Sequence, residues 1–219
     1  MKLPDATFKA ILCDMDGTLV DTEMAYDSAR REVCIRNLGF ETTVEEGLEL
    51  IGMSEHAAFE KILRTRDVHA DVDVLLHKVH EIYNSFLQSN LVINPDTPEF
   101  LDELSALGIR RALVTSSTRV QTKIILDQIC PPNFFEIIIT GDDVSMRKPH
   151  PEPYLSAALQ LGLIGEKCVS IEDSISGILA AIDAGTYCYG VQREKSPRIE
   201  RAHSIVNSLS EIPLKQLFE

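Results

Sequence analysis

The chain has 219 residues, which is enough for one large domain or for one domain that carries an insertion. Its formal net charge of −13 argues against nucleic acid and anionic membranes as partners, because an acidic surface repels phosphate groups. The five cysteines are widely spaced, and neither a secretory signal nor a membrane-length apolar run is evident. We therefore expect a cytoplasmic protein with reduced cysteines, and we expect a monomer.

Five short apolar runs predict strands, and several end at polar or glycine residues. The first run, 8–13, stops at the acidic stretch that begins with Asp14. A buried parallel strand has this character when it delivers its last residues to a site. The later runs cover 111–115, 135–140, 168–171 and 187–191.

Helical patterns separate the later strands. They cover 98–107, 118–129, 151–161 and 174–184, and a glycine follows the first and the last of them as a helix stop. Strand and helix therefore alternate along this part of the chain. The alternation predicts a Rossmann-like α/β fold with a doubly wound parallel sheet.

A long segment between the first two strands breaks this alternation. Apolar residues recur in it at helical spacing, for example at Leu75 and Val79, and it has no convincing strand pattern. We predict roughly four helices there, an insertion far longer than a usual strand-to-helix connection. The predicted domains are an α/β core of residues 1–22 and 91–219 and an inserted α-helical cap of residues 23–90.

Polar side chains follow several predicted strands or lie in loops that leave the same sheet edge. In an open parallel sheet, ligands bind beyond the carboxyl ends of the strands. Carboxylates gathered there repel one another, which raises their pKa values unless a cation lies among them. Magnesium fits because it prefers oxygen ligands, whereas zinc favours the histidine and cysteine that this set lacks. The set comprises Asp14, Asp16, Thr115, Lys148, Glu172 and Asp173.

Taken singly, these residues also have ordinary structural explanations. Asp16 could form an Asx turn with the glycine that follows it. The hydroxyl residues at 115–118 could simply cap the next helix. Glu172 and Asp173 could lie at a helix N-terminus and interact with its dipole, a role that is compatible with metal binding.

Four motifs in this chain resemble those of the haloacid dehalogenase superfamily, and they occur in the family's order. They are Asp14-Met15-Asp16-Gly17-Thr18, Thr115 after a strand, Lys148-Pro149 before a helix, and Glu172-Asp173-Ser174-Ile175-Ser176-Gly177. The match spreads over nearly the whole chain. Residues 19–23, 148–154 and 171–177 look like the beta-phosphoglucomutase-like phosphatase branch, which inserts a helical cap where this chain has its helical insertion.

The resemblance implies a role for each residue of the core. Asp14 would attack phosphorus and become an aspartyl phosphate, and Asp16 would protonate the leaving oxygen and then activate a water molecule. Thr115 and the backbone N–H of Ser116 would bind the phosphoryl oxygens. Lys148 would neutralise the charge on the phosphoryl group and on the nucleophile.

Metal ligands and cap residues follow from the same resemblance. Asp14, the backbone carbonyl of Asp16 and Asp173 would ligate Mg²⁺. Glu172 would bind the ion directly or through a water molecule. Residues that would line the cap side of the pocket are Glu23, Tyr26, Gly52, Met53 and Ser54.

Two positions help to choose among reactions. Haloacid dehalogenases and phosphonatases have a different residue at the position of Asp16, so this aspartate indicates phosphate ester chemistry. Beta-phosphoglucomutases carry a His and an Arg in the cap where this chain has Tyr26 and Glu55. We therefore expect hydrolysis of a small phosphorylated metabolite, such as a sugar or polyol phosphate. A sugar phosphomutase is the alternative, and an Asp-phosphorylated receiver or a binding domain is a more remote one.

Overall fold

The computed structural model describes residues 8–50, 53, 55–193 and 199–218. The chain divides into two compact units. The first contains Met1–Asp21 and Val92–Glu219, and the second contains Thr22–Leu91. Among the described helices, none combines the length and the apolar character that crossing a lipid bilayer requires.

A six-stranded parallel sheet forms the centre of the first unit. The strands of this unit are β1 Ala10–Cys13, β2 Val20–Asp21, β3 Val92–Ile93, β4 Arg110–Val114, β5 Ile137–Ile139, β6 Cys168–Glu172, β7 Tyr187–Val191 and β8 Ser204–Val206. The sheet has the order β5-β4-β1-β6-β7-β8, while β2 and β3 form a separate antiparallel pair. Strand order reverses at β1, so a crevice opens beyond the carboxyl ends of β1, β4 and β6.

The burial of β1 explains its sequence. Ala10 and Leu12 belong to the core on one face of the sheet, and Ile11 and Cys13 point to the other face. All four side chains are fully buried. A continuous apolar run of this kind is typical of a parallel strand that is covered on both faces.

Helices occupy the connections of both units. Those of the second unit are α1 Glu23–Val33, α2 Val44–Leu48, α3 Glu55–Thr65 and α4 Val72–Asn90. Those of the first unit are α5 Thr97–Ala106, α6 Arg119–Ile129, α7 Glu152–Gln160, α8 Ile175–Asp183 and α9 Leu214–Phe218. A π-helical turn, Cys34–Leu38, extends α1, and short 3₁₀ turns at Gly165–Lys167 and Leu209–Glu211 precede β6 and α9.

Packing in each unit follows the apolar face of its helices. Tyr154 and Ala157 of α7 and Ile178 of α8 join β1, β4 and β6 in one buried cluster. Within the second unit, α4 packs against α1 and α3 and buries Val79 and Tyr83.

The predicted fold class is confirmed, and the differences lie at the ends of elements. The predicted strand 135–140 shortens to Ile137–Ile139, because Thr140 turns away and donates hydrogen bonds to Asp143 from both its N–H and its hydroxyl. Strands β2, β3 and β8 have two or three residues each, too few to show a strand pattern in the sequence.

Candidate active site

Asp14 is the first residue beyond β1 and lies at the carboxyl edge of the sheet. Its N–H continues the strand ladder by donating to the carbonyl of Ile171 at 3.0 Å. Its side chain is buried, and Oδ1 accepts a hydrogen bond from Lys148 Nζ at 2.6 Å. Among the described protein atoms, Oδ2 has no hydrogen-bond partner. A buried carboxylate oxygen is costly when it has no partner, so this atom is suited to receive a ligand.

Lys148 links two of the acids. It lies in the loop between β5 and α7, and the peptide bond to Pro149 is cis. Its Nζ donates to Asp14 Oδ1 and Glu172 Oε1, each at 2.6 Å, and to the carbonyl of Val114 at 2.9 Å. Burial alone would lower the pKa of this lysine, but the two carboxylates outweigh it and raise the pKa above its usual value. Lys148 is therefore a fixed positive charge at the sheet edge.

Glu172 is the last residue of β6 and is fully buried. Its Oε1 also accepts a hydrogen bond from the Tyr154 hydroxyl at 2.6 Å, and its Oε2 accepts one from Ser174 Oγ at 3.1 Å. A Cβ added at Gly177, in the first turn of α8, would overlap the Glu172 carboxylate. The Ser174 hydroxyl therefore holds the Glu172 side chain by a hydrogen bond, and Gly177 leaves the space that this side chain occupies.

Three acids form a group that could hold a metal ion. Asp14, Glu172 and Asp173 each offer a carboxylate oxygen, and these oxygens lie within 4.8 Å of one another. Burial raises the pKa of Asp14 to about 8, and the Glu172 charge adds to this rise while Lys148 opposes it. Burial, with Asp14 and Glu172, likewise raises the pKa of Asp173 well above its ordinary range. A divalent cation among these oxygens would reverse both shifts, so the donor set fits a hard ion such as Mg²⁺.

Gly17 leaves space for the carboxylate of Asp173. It has a φ of +78°, in the left-handed region that favours glycine. A Cβ at this position would overlap the Asp173 carboxylate. A side chain at this position would therefore displace the Asp173 carboxylate.

Asp16 is held by two hydroxyl groups. Its Oδ2 accepts hydrogen bonds from Thr115 Oγ1 at 3.0 Å and from Ser117 Oγ at 2.8 Å. The Ser117 N–H donates in turn to Thr115 Oγ1 at 3.0 Å. Ser117 was not among the predicted site residues, because nothing in the run of hydroxyl residues at 115–118 distinguishes it from its neighbours.

A different residue of the hydroxyl run 115–118 caps the N-terminus of α6. Thr118 accepts a hydrogen bond from the Gln121 N–H, and the Gln121 side chain accepts one from the Thr118 N–H. This is a capping box, and it leaves the hydroxyls of Thr115 and Ser117 to Asp16. Ser116, which lies between them, has an exposed side chain.

Cap-side candidates can be followed only in part. Gly52 and Ser54 lie outside the described residues, and Glu23 is described only as the first residue of α1. Met53 is exposed. The ring of Tyr26 meets that of Tyr83 edge to face at 5.3 Å inside the second unit.

Comparisons with known proteins identify the family of this chain. A family model described as Haloacid dehalogenase-like hydrolase matches residues 11–191. The phosphorylated carbohydrates phosphatase of Thermotoga maritima is 30% identical over 203 residues, which cover 93% of this chain and 88% of that protein. A phosphoglycolate phosphatase of Colwellia psychrerythraea is 31% identical over 203 residues, covering 87% of this chain and 88% of that protein. The crystal structure of CbbY from Rhodobacter sphaeroides in complex with phosphate aligns with a TM-score of 0.79 and 26% identity, over 94% of this chain and 96% of that one.

Proposed function

Because the chain belongs to the haloacid dehalogenase-like hydrolase family, we propose that it is a magnesium-dependent phosphatase that acts through an aspartyl phosphate at Asp14. The proposed substrate is a small phosphorylated metabolite, such as a sugar or polyol phosphate. Relatives named as phosphatases of phosphorylated carbohydrates and of phosphoglycolate support this substrate class. Membership of a hydrolase family also sets aside the receiver-domain alternative.

One observation carries the proposal. Asp14 is a buried carboxylate that has a lysine on one oxygen and, among the described residues, no hydrogen-bond partner on the other. Structural ion pairs usually satisfy both oxygens of a buried acid. An acid left half satisfied beside a fixed cation, with two further acids in reach, is arranged to receive a phosphoryl group and a metal ion.

In the first step, a carboxylate oxygen of Asp14 attacks phosphorus, and the bond from phosphorus to the leaving oxygen breaks. Asp16 donates its proton to that oxygen, so the product leaves as an alcohol. Lys148, already charged, balances the negative charge on the phosphoryl oxygens. Thr115 and the Ser116 N–H lie on the loop that would bind those oxygens.

The second step returns Asp14 to its starting state. Asp16, now ionised, takes a proton from a water molecule as the water attacks phosphorus. The bond between phosphorus and the Asp14 oxygen breaks, and inorganic phosphate is released. Asp14, the Asp16 carbonyl, Glu172 and Asp173 would hold Mg²⁺, which supplies positive charge for the transferring group when it is bound.

Replacement of Asp14 tests the mechanism. The protein should hydrolyse p-nitrophenyl phosphate in the presence of Mg²⁺, and Asp14→Asn should lower kcat by several orders of magnitude because an amide cannot form the aspartyl phosphate. The matched control is Asp102→Asn, which changes an exposed aspartate of α5 and should keep full activity. Activity without a divalent metal, or full activity in Asp14→Asn, would contradict the mechanism.

A phosphate-release assay over a panel of phosphorylated metabolites addresses the substrate. The panel should include β-glucose 1-phosphate together with a trace of the 1,6-bisphosphate. Release of inorganic phosphate from sugar or polyol phosphates is the expected result. Rapid formation of glucose 6-phosphate without free phosphate would identify a phosphomutase instead.

A further inference from the structure

The segment directly after Asp16 forms a tight turn whose own hydrogen bonds leave three of its carbonyls unused. Within the turn, the Gly17 N–H donates to the carbonyl of Val20 at 2.7 Å, and the Leu19 N–H donates to the carbonyl of Met15 at 2.8 Å. Neither bond uses the carbonyls of Gly17, Thr18 or Leu19. These three acceptors need partners from elsewhere in the chain, because buried backbone groups are almost always paired.

Two buried side chains from the chain around the start of α5 supply most of those partners. Asn94 Nδ2 donates to the carbonyls of Gly17 at 3.2 Å and Thr18 at 2.9 Å. Thr97 Oγ1 donates to the carbonyl of Leu19 at 2.7 Å. Asn94 is 8% exposed and Thr97 is fully buried, so water does not compete for these bonds.

Arg193 completes the set from the far end of the chain. Its Nη2 donates to the carbonyl of Thr18 at 2.9 Å. A two-point ion pair with Asp96, at 3.0 Å on each side, fixes the guanidinium group. Asp96 also accepts hydrogen bonds from Ser208 Oγ and the Leu209 N–H, so it is itself anchored. We call Asn94, Thr97 and Arg193 the carbonyl clamp.

The carbonyl clamp binds the turn that directly follows Asp16. On its other side, the carboxylate of Asp16 meets the hydroxyls of Thr115 and Ser117. Gly17 lies against the Asp173 carboxylate with no room for a side chain. The backbone of the turn is therefore fixed by donors that belong neither to the proposed metal ligands nor to the proposed phosphoryl-binding residues.

We infer that Asn94, Thr97 and Arg193 are positioning residues for Asp16, which hold its turn so that the carboxyl group meets the leaving oxygen. This inference rests on the proposed phosphatase function and assigns none of the three to the chemistry itself. Small displacements of a proton donor lower the rate steeply, because proton transfer needs hydrogen-bond distance.

Leaving groups of different basicity separate positioning from general structural damage. Phenyl phosphate and p-nitrophenyl phosphate have nearly the same size, but phenolate needs a proton to leave much more than p-nitrophenolate does. In Asn94→Ala, kcat/KM for phenyl phosphate should fall about tenfold further than kcat/KM for p-nitrophenyl phosphate, as expected for a misplaced proton donor. Asp16→Ala gives the benchmark, with the same asymmetry at a larger size.

A second pair of variants keeps the test valid if Asn94→Ala folds poorly. Thr97→Val removes the hydroxyl that binds the Leu19 carbonyl and nearly preserves the shape, while Thr97→Ser keeps the hydroxyl. Thr97→Val should show the leaving-group asymmetry and Thr97→Ser should not, with thermal melting followed for both. Equal losses for the two substrates in Asn94→Ala and Thr97→Val would overturn the inference.

The outcomes also distinguish this inference from the function on which it rests. An asymmetry in Asp16→Ala that is absent from the clamp variants would overturn the clamp alone. If the wild-type protein released no phosphate from any ester, or if Asp16→Ala affected both substrates equally, the proposed mechanism and the clamp would both be wrong.

Discussion

Gly177 illustrates how one residue can set the spacing of a motif. The Ser174 hydroxyl caps α8 by accepting the Gly177 N–H at 3.0 Å, and it also donates to Glu172. The first turn of the helix thereby brings residue 177 against the Glu172 carboxylate, where a Cβ would overlap it. The glycine is needed because of a side chain five positions away, since its own φ is not in the left-handed region.

Gly177→Ala should weaken magnesium binding. Alanine is favoured over glycine in a helix by about 1 kcal/mol, so the helix itself should gain. The added methyl group must nevertheless displace Glu172, and we expect the Mg²⁺ concentration for half-maximal activity to rise roughly tenfold, as when a group that orients metal ligands is disturbed.

A magnesium titration of p-nitrophenyl phosphate hydrolysis measures this effect. Asp183→Asn, an exposed change in the last turn of α8, is the control and should leave the titration unchanged. An unaltered magnesium dependence in Gly177→Ala would show that Glu172 has room to move.

At the residue scale, the charged groups of the site are easier to predict from the sequence than the neutral groups that bind them. Asp14, Lys148, Glu172 and Asp173 were predicted together, and the structure brings them within reach of one another. The hydroxyls of Ser117 and Tyr154, which bind Asp16 and Glu172, were not predicted. Ser117 and Tyr154 look in the sequence like a helix cap and a core aromatic residue, because a hydroxyl group carries no pattern that reveals its partner.

At the scale of single elements, the start of α6 separates a hydroxyl that caps the helix from hydroxyls that bind Asp16. Thr118 and Gln121 cap the helix, while Ser117, one residue earlier, binds Asp16. Adjacent residues of similar chemistry therefore differ in what they contribute. The difference can be measured because each hydroxyl can be removed separately.

Thr118→Ala and Ser117→Ala should give opposite profiles. Loss of the cap should lower the free energy of unfolding by about 1 kcal/mol, with a smaller effect on kcat/KM. Loss of the Ser117 hydroxyl should have the larger effect on kcat/KM, because it removes a hydroxyl that donates a hydrogen bond to Asp16. Chemical denaturation and p-nitrophenyl phosphate kinetics on both variants test this, and equal profiles would contradict the division of roles.

The elements that were predicted correctly share a physical cause. β1, β4, β6 and β7 are buried runs of four or five residues, and burial on both faces imposes an apolar sequence. β8, at the edge of the sheet, has only three residues and exposes Ile205. Its place is set by pairing with β7 rather than by its own composition, so no local pattern predicts it.

At the scale of the whole molecule, the net charge of −13 and the buried acids act in the same direction. Both make the electrostatic interaction of the metal-free protein with a negatively charged phosphorylated ligand unfavourable. The family match and the acidic group together indicate a divalent metal, which would reverse the field locally. The same match confirms the resemblance on which the motif assignments rest.

Mg²⁺ should therefore raise the melting temperature. At 100 times its Kd, a bound ion stabilises the folded state by about 2.7 kcal/mol, or roughly 5–10 °C for a chain of this size. Asp173→Asn should abolish the increase, and it should leave the metal-free protein at least as stable, because one of the mutually repelling acids is gone.

Potassium chloride at matched ionic strength is the control for general screening of the acidic surface. It should not reproduce the increase. A similar increase with potassium chloride, or in Asp173→Asn, would place the effect on the surface instead of at the three acids.

The antiparallel pair of β2 and β3 has a consequence for how such chains diversify. Val20 pairs with Ile93 and Asp21 pairs with Val92, so the inserted segment leaves and re-enters the first unit at adjacent positions. Closing a loop between ends that are already paired depends weakly on its length, at about 0.6 kcal/mol for each doubling. The segment between β2 and β3 can therefore be lengthened, shortened or exchanged without altering the register of the six-stranded sheet. The second unit can therefore change while Asp14 and its partners keep their positions.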